Sequence, residues 1–307
     1  MRNEREQQRR EAPAPRARGQ GRPAGRSGTG VRPLRRTGGL RLVPAPGERR
    51  PAAPGTNLSA GAPGATWGAP CWLSLASGDV LAASAFYARV LGWCHVPLLG
   101  PQGRTRLLAL REGAPVGTLS QATCDLGVSA GWIPYFGVRD VDGTVDRLRE
   151  RGATLAVGPL TTGTGRLAVA AGPQEAVFGL RRQAPDPRWR AGAGPVAGFE
   201  LRTPDIFAAA CFYGDLLGWA GTPGDSCEVE YTHGRIEVRE GLRTVATLTD
   251  APTSGWRPCF RVADVEVAAV AAAGWGGRIV SPPDGPPERR EAVLADAEGN
   301  PFTVIAG

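Results

Sequence analysis

DVLAASAFYARVLGW (Asp79–Trp93) and DIFAAACFYGDLLGW (Asp205–Trp219) align without a gap at an offset of 126. Both keep the Asp, the Ala-Ala, the Phe-Tyr and the closing Leu-Gly-Trp. An internal repeat of this kind sets the architecture before any single element is placed. Each copy reads as one helix. Asp79 and Asp205 stand where an N-cap carboxylate accepts the unpaired amides of a first turn. Ala83, Phe86, Tyr87, Val90 and Leu91 recur at helical spacing and predict the buried face. Gly92 and Gly218 stand where a left-handed residue closes a helix.

Two more blocks repeat. PYFGVRDV (Pro134–Val141) matches PCFRVADV (Pro258–Val265), and AVFGL (Ala176–Leu180) matches NPFTV (Asn300–Val304), both at an offset of 124. Three collinear blocks at nearly constant offset mean two copies of one domain. A weaker echo runs inside each copy. Leu73–Leu75 leads to Asp79 and a helix, and Phe136–Val138 leads to Asp140 and a second helix over 141–151. Val141, Val145 and Leu148 form the apolar stripe of that second helix. Each domain is therefore expected to hold two modules, each a strand, a helix and three further strands. The expected first strands lie at 70–76 and 133–138 in one copy, and at 197–202 and 257–262 in the other. Later strands are expected over 227–233 and 289–295, among others. The organisation expected is a tail over 1–65, a domain over 66–183, a linker over 184–194 with Pro185 and Pro187, and a second domain over 195–307.

The chain has 36 basic residues, all Arg, against 29 acidic ones, for a formal net charge of +7. Arginine without lysine, with 44 Gly and 28 Pro, points to a GC-rich, bacterial coding sequence. The charge is uneven. Residues 1–65 hold 14 Arg against 4 Glu, a net of +10, and the rest holds 22 Arg against 25 acids, a net of −3. The tail is rich in Arg, Pro, Gly and Ala and poor in large apolar side chains. It cannot bury enough surface to offset its ordering entropy, and disorder is expected. Its arginines suit non-specific contact with nucleic acid, although no aromatic residue accompanies them. Cys71, Cys94, Cys124, Cys211, Cys227 and Cys259 form no Cys-x-x-Cys pair and fit a reducing cytoplasm better than a disulfide framework. No apolar run is long enough for a membrane span.

A βαβββ module used twice per domain, with an Asp-capped helix ending Phe-Tyr-x-x-x-Leu-Gly-Trp, resembles the vicinal oxygen chelate superfamily. That group includes glyoxalase I, extradiol dioxygenases, and fosfomycin- and bleomycin-resistance proteins. The resemblance covers residues 66–307. It implies an α+β fold of two tandem domains, each built from two βαβββ modules curved into a cup. It also implies intramolecular pairing of the two domains, as single-domain relatives pair in dimers. Metal-using members carry ligands on the first strand of each module, seven positions before the capping Asp, and on the last strand. Carried over, those positions are Trp72, Ile133, Gly198 and Arg257, then Gly179 and Thr303. None supplies an imidazole or carboxylate to a divalent ion. The two histidines, His95 and His233, fall on later strands. No metal and no cofactor are expected.

Strand alternation puts residues of one parity on one face. With 72, 133, 198 and 257 turned to the cups, Ser74, Tyr135, Glu200, Cys259 and Arg261 join them. The first cup is then apolar and aromatic, with Trp72, Ile133 and Tyr135, and Ser74 as a polar contact. It suits a planar or apolar small ligand. The second is charged. Glu200 opposite Arg257 or Arg261 reads as a structural ion pair or as the holder of a ligand carboxylate or amine. Cys259 needs an electropositive neighbour to act as a nucleophile, and these arginines would be that neighbour.

The residues leave three readings open. One is a metal-free protein that binds and sequesters a small molecule, as bleomycin-resistance proteins do. Another is an enzyme of the same superfamily, a glyoxalase-like lyase, an isomerase or a ring-cleaving dioxygenase, with Glu200, Tyr135 and Cys259 as acid–base or nucleophilic candidates. The last is a scaffold whose second domain completes the first.

Overall fold

The computed structural model describes residues 66–99, 105–122, 131–182, 186, 189–219 and 226–307. The tail over 1–65 and part of the 184–194 linker lie outside these residues. Asp79 accepts the amides of Leu81 and Ala82 and starts α1 (Val80–Leu91), which Gly92 ends at φ 69°. Asp205 accepts the amide of Ala208 and starts α3 (Ile206–Leu217), which Gly218 ends at φ 74°. These φ values are open to glycine at little steric cost. Asp140 and Asp264 cap α2 (Val141–Glu150) and α4 (Val265–Gly274) in the same way.

Among the described residues, sixteen strands run around these helices. The first half holds β1 (Pro70–Ser77), β2 (Cys94–Leu99), β3 (Thr105–Arg111), β4 (Ala114–Gln121), β5 (Gly131–Gly137), β6 (Thr154–Thr162), β7 (Gly165–Ala171) and β8 (Val177–Arg181). The second half holds β9 (Val196–Thr203), β10 (Glu228–Thr232), β11 (Arg235–Glu240), β12 (Arg243–Asp250), β13 (Gly255–Val262), β14 (Arg278–Asp284), β15 (Glu291–Ala295) and β16 (Pro301–Ala306). Each half forms one eight-stranded sheet, in the orders β2-β3-β4-β1-β5-β8-β7-β6 and β10-β11-β12-β9-β13-β16-β15-β14. The first strand of each module pairs parallel with its last strand, as β1 with β4 and β5 with β8. The two modules meet antiparallel along β1 and β5. The second half repeats this around β9 and β13. The fold is thus two tandem βαβββ pairs of the vicinal-oxygen-chelate type.

Two expected strands begin or end elsewhere. β10 stops at Thr232, and His233 (φ 47°) and Gly234 (φ 79°) form the two-residue turn to Arg235. Two successive left-handed residues match the twist of a tight hairpin, so His233 sits at a hairpin tip rather than on a strand. Pro287–Arg289 is a single 3₁₀ turn, and β15 starts after it, at Glu291.

The repeated Phe-Tyr pair explains why the halves stay together. Tyr87 packs on Trp93 and Trp132 of its own half, with ring centroids 5.2 Å away in each case, and on Phe302 of the other at 5.6 Å. Phe260, also of the other half, reaches Trp93 at 5.0 Å and Trp132 at 5.5 Å. The mirror cluster has Tyr213 against Trp219 at 5.9 Å and Trp256 at 5.3 Å, with Phe178 and Phe136 supplied by the first half. Each aromatic contact adds about 0.5–1.5 kcal/mol beyond area burial. The aromatic cluster of α1 and that of α3 are therefore each completed by rings from the partner half.

Polar contacts follow the same pattern. Glu298 Oε1 accepts from Ser77 Oγ and from the Asp79 amide, each at 3.0 Å. In the mirror position Thr203 Oγ1 bonds the Gln174 side chain. Tyr87 also donates to Asp296 Oδ2 at 2.9 Å, and Asn300 Nδ2 donates to the same oxygen at 2.9 Å. Among the described residues, no helix is long and apolar enough to cross a membrane.

Candidate functional site

The faces turned away from the aromatic clusters form the cups. On β1 the odd residues Leu73 and Leu75 are fully buried in the core, and Trp72 and Ser74 point the other way, into a cavity of about 250 Å³. Ile133 and Tyr135 of β5 line the same cavity. The register explains the convergence, with Trp72 opposite Tyr135, Ser74 opposite both Ile133 and Thr118, and Tyr135 beside Gly179. The four residues expected from parity in this half are thus brought together. Val157, Leu160, Leu167 and Val169 form an apolar wall, and Thr118, Ser120 and Gln121 a polar one.

Trp72 is 3% exposed and its indole N–H points to Thr118 Oγ1 at 3.4 Å. Behind it stands Trp189, from the stretch expected to be a plain linker. Trp189 is 3% exposed, donates to the Val116 carbonyl at 2.8 Å, and lies 6.0 Å from the Trp72 ring. The composition of that stretch hides an anchor that fixes the cavity floor.

Two arginines also line the cavity, Arg106 of β3 and Arg181 of β8. Arg181 follows Gly179 by two residues and so shares its face, a parity cue available in the sequence. It is 4% exposed, its Nη2 donates to Thr164 O at 3.0 Å and Thr164 Oγ1 at 2.8 Å, and its guanidinium lies 5.6 Å from the Tyr135 ring centroid. Burial and then the neighbouring Arg106 charge hold its pKa below the usual arginine value. Cys71, close to Arg181, has its thiol pushed up to about 12 by burial, against the pull of that charge.

The second cup is organised differently. Glu200 Oε2 accepts from Arg257 Nε at 3.0 Å and from Arg257 Nη2, and its Oε1 accepts from Thr249 Oγ1 at 2.6 Å. Both ends of the pair are partly buried, so the ion pair is closed within the protein. Arg261 does not join it. β13 shifts register against β9 between Cys259 and Phe260, and the Arg261 guanidinium donates to the Gly192 carbonyl at 3.2 Å. Burial alternates unbroken along β13, so Arg261 keeps the parity of Arg257 and Cys259, but it stands near the end of the strand and bonds away from the ion pair. Burial pushes the Cys259 thiol up to about 12, so it stays protonated at neutral pH. A protonated thiol is a poor nucleophile.

The positions carried over as metal ligands do not fit a divalent ion. Trp72 and Ile133 are apolar. Gly179 has the Tyr135 ring lying across it, and a Cβ built there would be 2.1 Å from Tyr135 Cδ1. In the second half Gly198 and Arg257 offer no ligand, and Thr303 is a lone hydroxyl beside Cys259. Among the described residues, no three His, Cys, Asp or Glu side chains converge. His95 is half-buried on β2, with its pKa lowered by burial and Nε2 without a hydrogen-bond partner.

A family model for a glyoxalase-like domain matches residues 198–305. The anthracycline biosynthesis protein DauV of Streptomyces sp. (strain C5) is 29% identical over 266 residues, covering 78% of this chain and 93% of DauV. The Mn(II)-bound glyoxalase of Novosphingobium aromaticivorans superposes with a TM-score of 0.53 at 17% identity, over 78% of this chain and 82% of that one. The 2,3-dioxygenase LapB of Pseudomonas sp. KL28 gives 0.52 at 15% identity, over 79% and 94%. At these identities the two structures speak for the fold alone. The duplicated βαβββ sheets, the glyoxalase-like match over residues 198–305 and these relatives all indicate the vicinal oxygen chelate superfamily.

Proposed function

We propose that the first-half cup binds a flat aromatic small molecule and does so without a divalent metal. The observation that carries this reading is the Tyr135 ring lying across Gly179, which fills the place of a last-strand ligand with an aromatic surface. Trp72, Tyr135 and the aliphatic wall give a slot of the kind that takes planar rings. A cavity of about 250 Å³ suits one or two fused rings, with larger systems extending through the open mouth. DauV is named for anthracycline biosynthesis, and anthracyclines are fused aromatic ring systems. That likeness supports an aromatic ligand over an aliphatic one.

Sequestration is favoured over turnover by the state of the catalytic candidates. Glu200 is held by Arg257 and Thr249, Cys259 is protonated, and Tyr135 packs under Arg181. The test is a titration of the full chain with 2-naphthol, followed by tryptophan fluorescence, with and without EDTA, alongside elemental analysis of protein purified without chelator. Saturable quenching that EDTA leaves unchanged is expected. Binding that EDTA abolishes, or a stoichiometric divalent ion, would refute the metal-free reading.

A further inference from the structure

We propose that the first-half cup selects an aromatic carboxylate, with its acid group between Arg106 and Arg181 and its ring along Trp72 and Tyr135. This rests on the reading of that cup as an aromatic binding site and adds the charge of the ligand.

The cavity lining contains, among the described residues, two arginines and no Asp, Glu or His. Among the described residues, Arg106 has neither a hydrogen-bond nor an ion-pair partner, although it is half-buried and in register with Ser120 of the cavity wall. Arg181 is held by Thr164 over the Tyr135 ring, so its position is set before any ligand arrives. The two like charges share one cavity, and no carboxylate among its described lining residues balances them. An anion placed between them supplies that balance and gains charge-assisted hydrogen bonds. A carboxylate matches the planar fork of arginine better than a point-like anion does. Hydroxyls of Ser74, Thr118 and Ser120 lie on the adjacent strands, positioned to bond ring substituents.

The second cup is the internal contrast. At the positions equivalent to Ser74 and Ile133, Glu200 and Arg257 pair with each other, and Ile305 takes the place of Arg181. The two copies of one fold therefore differ in electrostatic character, and the positive copy is the one with aromatic walls.

The test is calorimetric titration of the full chain with 2-naphthoate and with the isosteric, neutral 2-naphthamide, at low and high NaCl. The acid is expected to bind at least about tenfold tighter than the amide, the scale of one charge-assisted hydrogen bond, with the gap narrowing in salt. In Arg106→Gln the acid-to-amide ratio should fall towards one. Arg278→Gln, which removes an exposed arginine from the other half, should keep it. Circular dichroism confirms that each variant is folded. Equal affinity of acid and amide for the native chain would overturn the charge inference and leave the aromatic-cup reading standing. A preference that survives in both Arg106→Gln and Arg181→Gln would also overturn it. Binding of neither compound would overturn both.

Discussion

Replacing Gly179 by alanine tests the centre of the site with one methyl group. A Cβ at this position would lie 2.1 Å from Tyr135 Cδ1, 2.3 Å from Cε1 and 2.7 Å from Cγ. Carbon atoms in contact rest at about 3.5–4.0 Å, so the ring must retreat by more than an ångström. It cannot swivel freely, because Tyr135 is 8% exposed and has Arg181 packed over it. Overpacking of this sort costs about 1–3 kcal/mol. For a unit of this size about 2–4 °C of Tm accompanies each kcal/mol, so the melting temperature should drop by about 2–12 °C. The open direction for the ring is into the cavity, so aromatic ligand affinity should fall as well. Urea denaturation and a ligand titration on the same protein measure both. In a Tyr135→Ala background the ring is gone, and Gly179→Ala should cost almost nothing. The reasoning is refuted if Gly179→Ala leaves stability unchanged, or if the two substitutions add to within about 0.5 kcal/mol in a double-mutant cycle.

Asp296→Ala should cost about 3 kcal/mol in urea titrations, since it strands the buried Tyr87 hydroxyl and the Asn300 amide, both of which donate to that carboxylate. Glu298→Ala should cost only about 1 kcal/mol, because Glu298 is exposed and water replaces it at Ser77 and the Asp79 amide. Iodoacetamide at pH 8, read by peptide mapping, should label the exposed Cys94 and Cys211 well before Cys71, Cys227 and Cys259, whose thiols are pushed up to about 12 by burial. The same three thiols set a pH trend. Unfolded cysteine loses its proton near pH 8.5, while the folded thiols hold theirs. Their stabilising contribution is therefore complete below that pH and lost as pH rises towards 12. A melting temperature that stays flat or rises between pH 9 and 11 would contradict it.

The order of elements was legible because the chain states it twice. The Asp caps, the Phe-Tyr pair and the closing Gly-Trp recur at fixed offsets, and tandem sheets follow from them. The cup face was legible in β1 and β5, and Trp72, Ser74, Ile133 and Tyr135 do line one cavity. Alternation holds through β13, yet parity alone does not show that Arg261 bonds the Gly192 carbonyl and leaves Glu200 to Arg257. Arg181 shares the parity of Gly179, but its place was visible only once β8 was known to run beside β5. Arg106 comes from β3, whose cup face no repeated motif marks. Trp189 lay among Pro, Arg and Gly residues that read as a spacer, and burial of a single tryptophan outweighs such composition. His233 was placed on a strand because its neighbours are β-formers, and the adjacent Gly234 turns the chain instead.

The alternation along β1, β5 and β8 has a consequence for engineering. Residues of one parity hold the halves together through the aromatic clusters, and residues of the other parity face the cavity. A combinatorial library restricted to Ser120, Val157 and Leu167, which are only half-buried in the cavity wall, would vary what the molecule recognises at less cost to the scaffold than one at the buried Ser74, Thr118 or Ile133. The other cup, locked by its own ion pair, would serve in every clone as a built-in reference compartment.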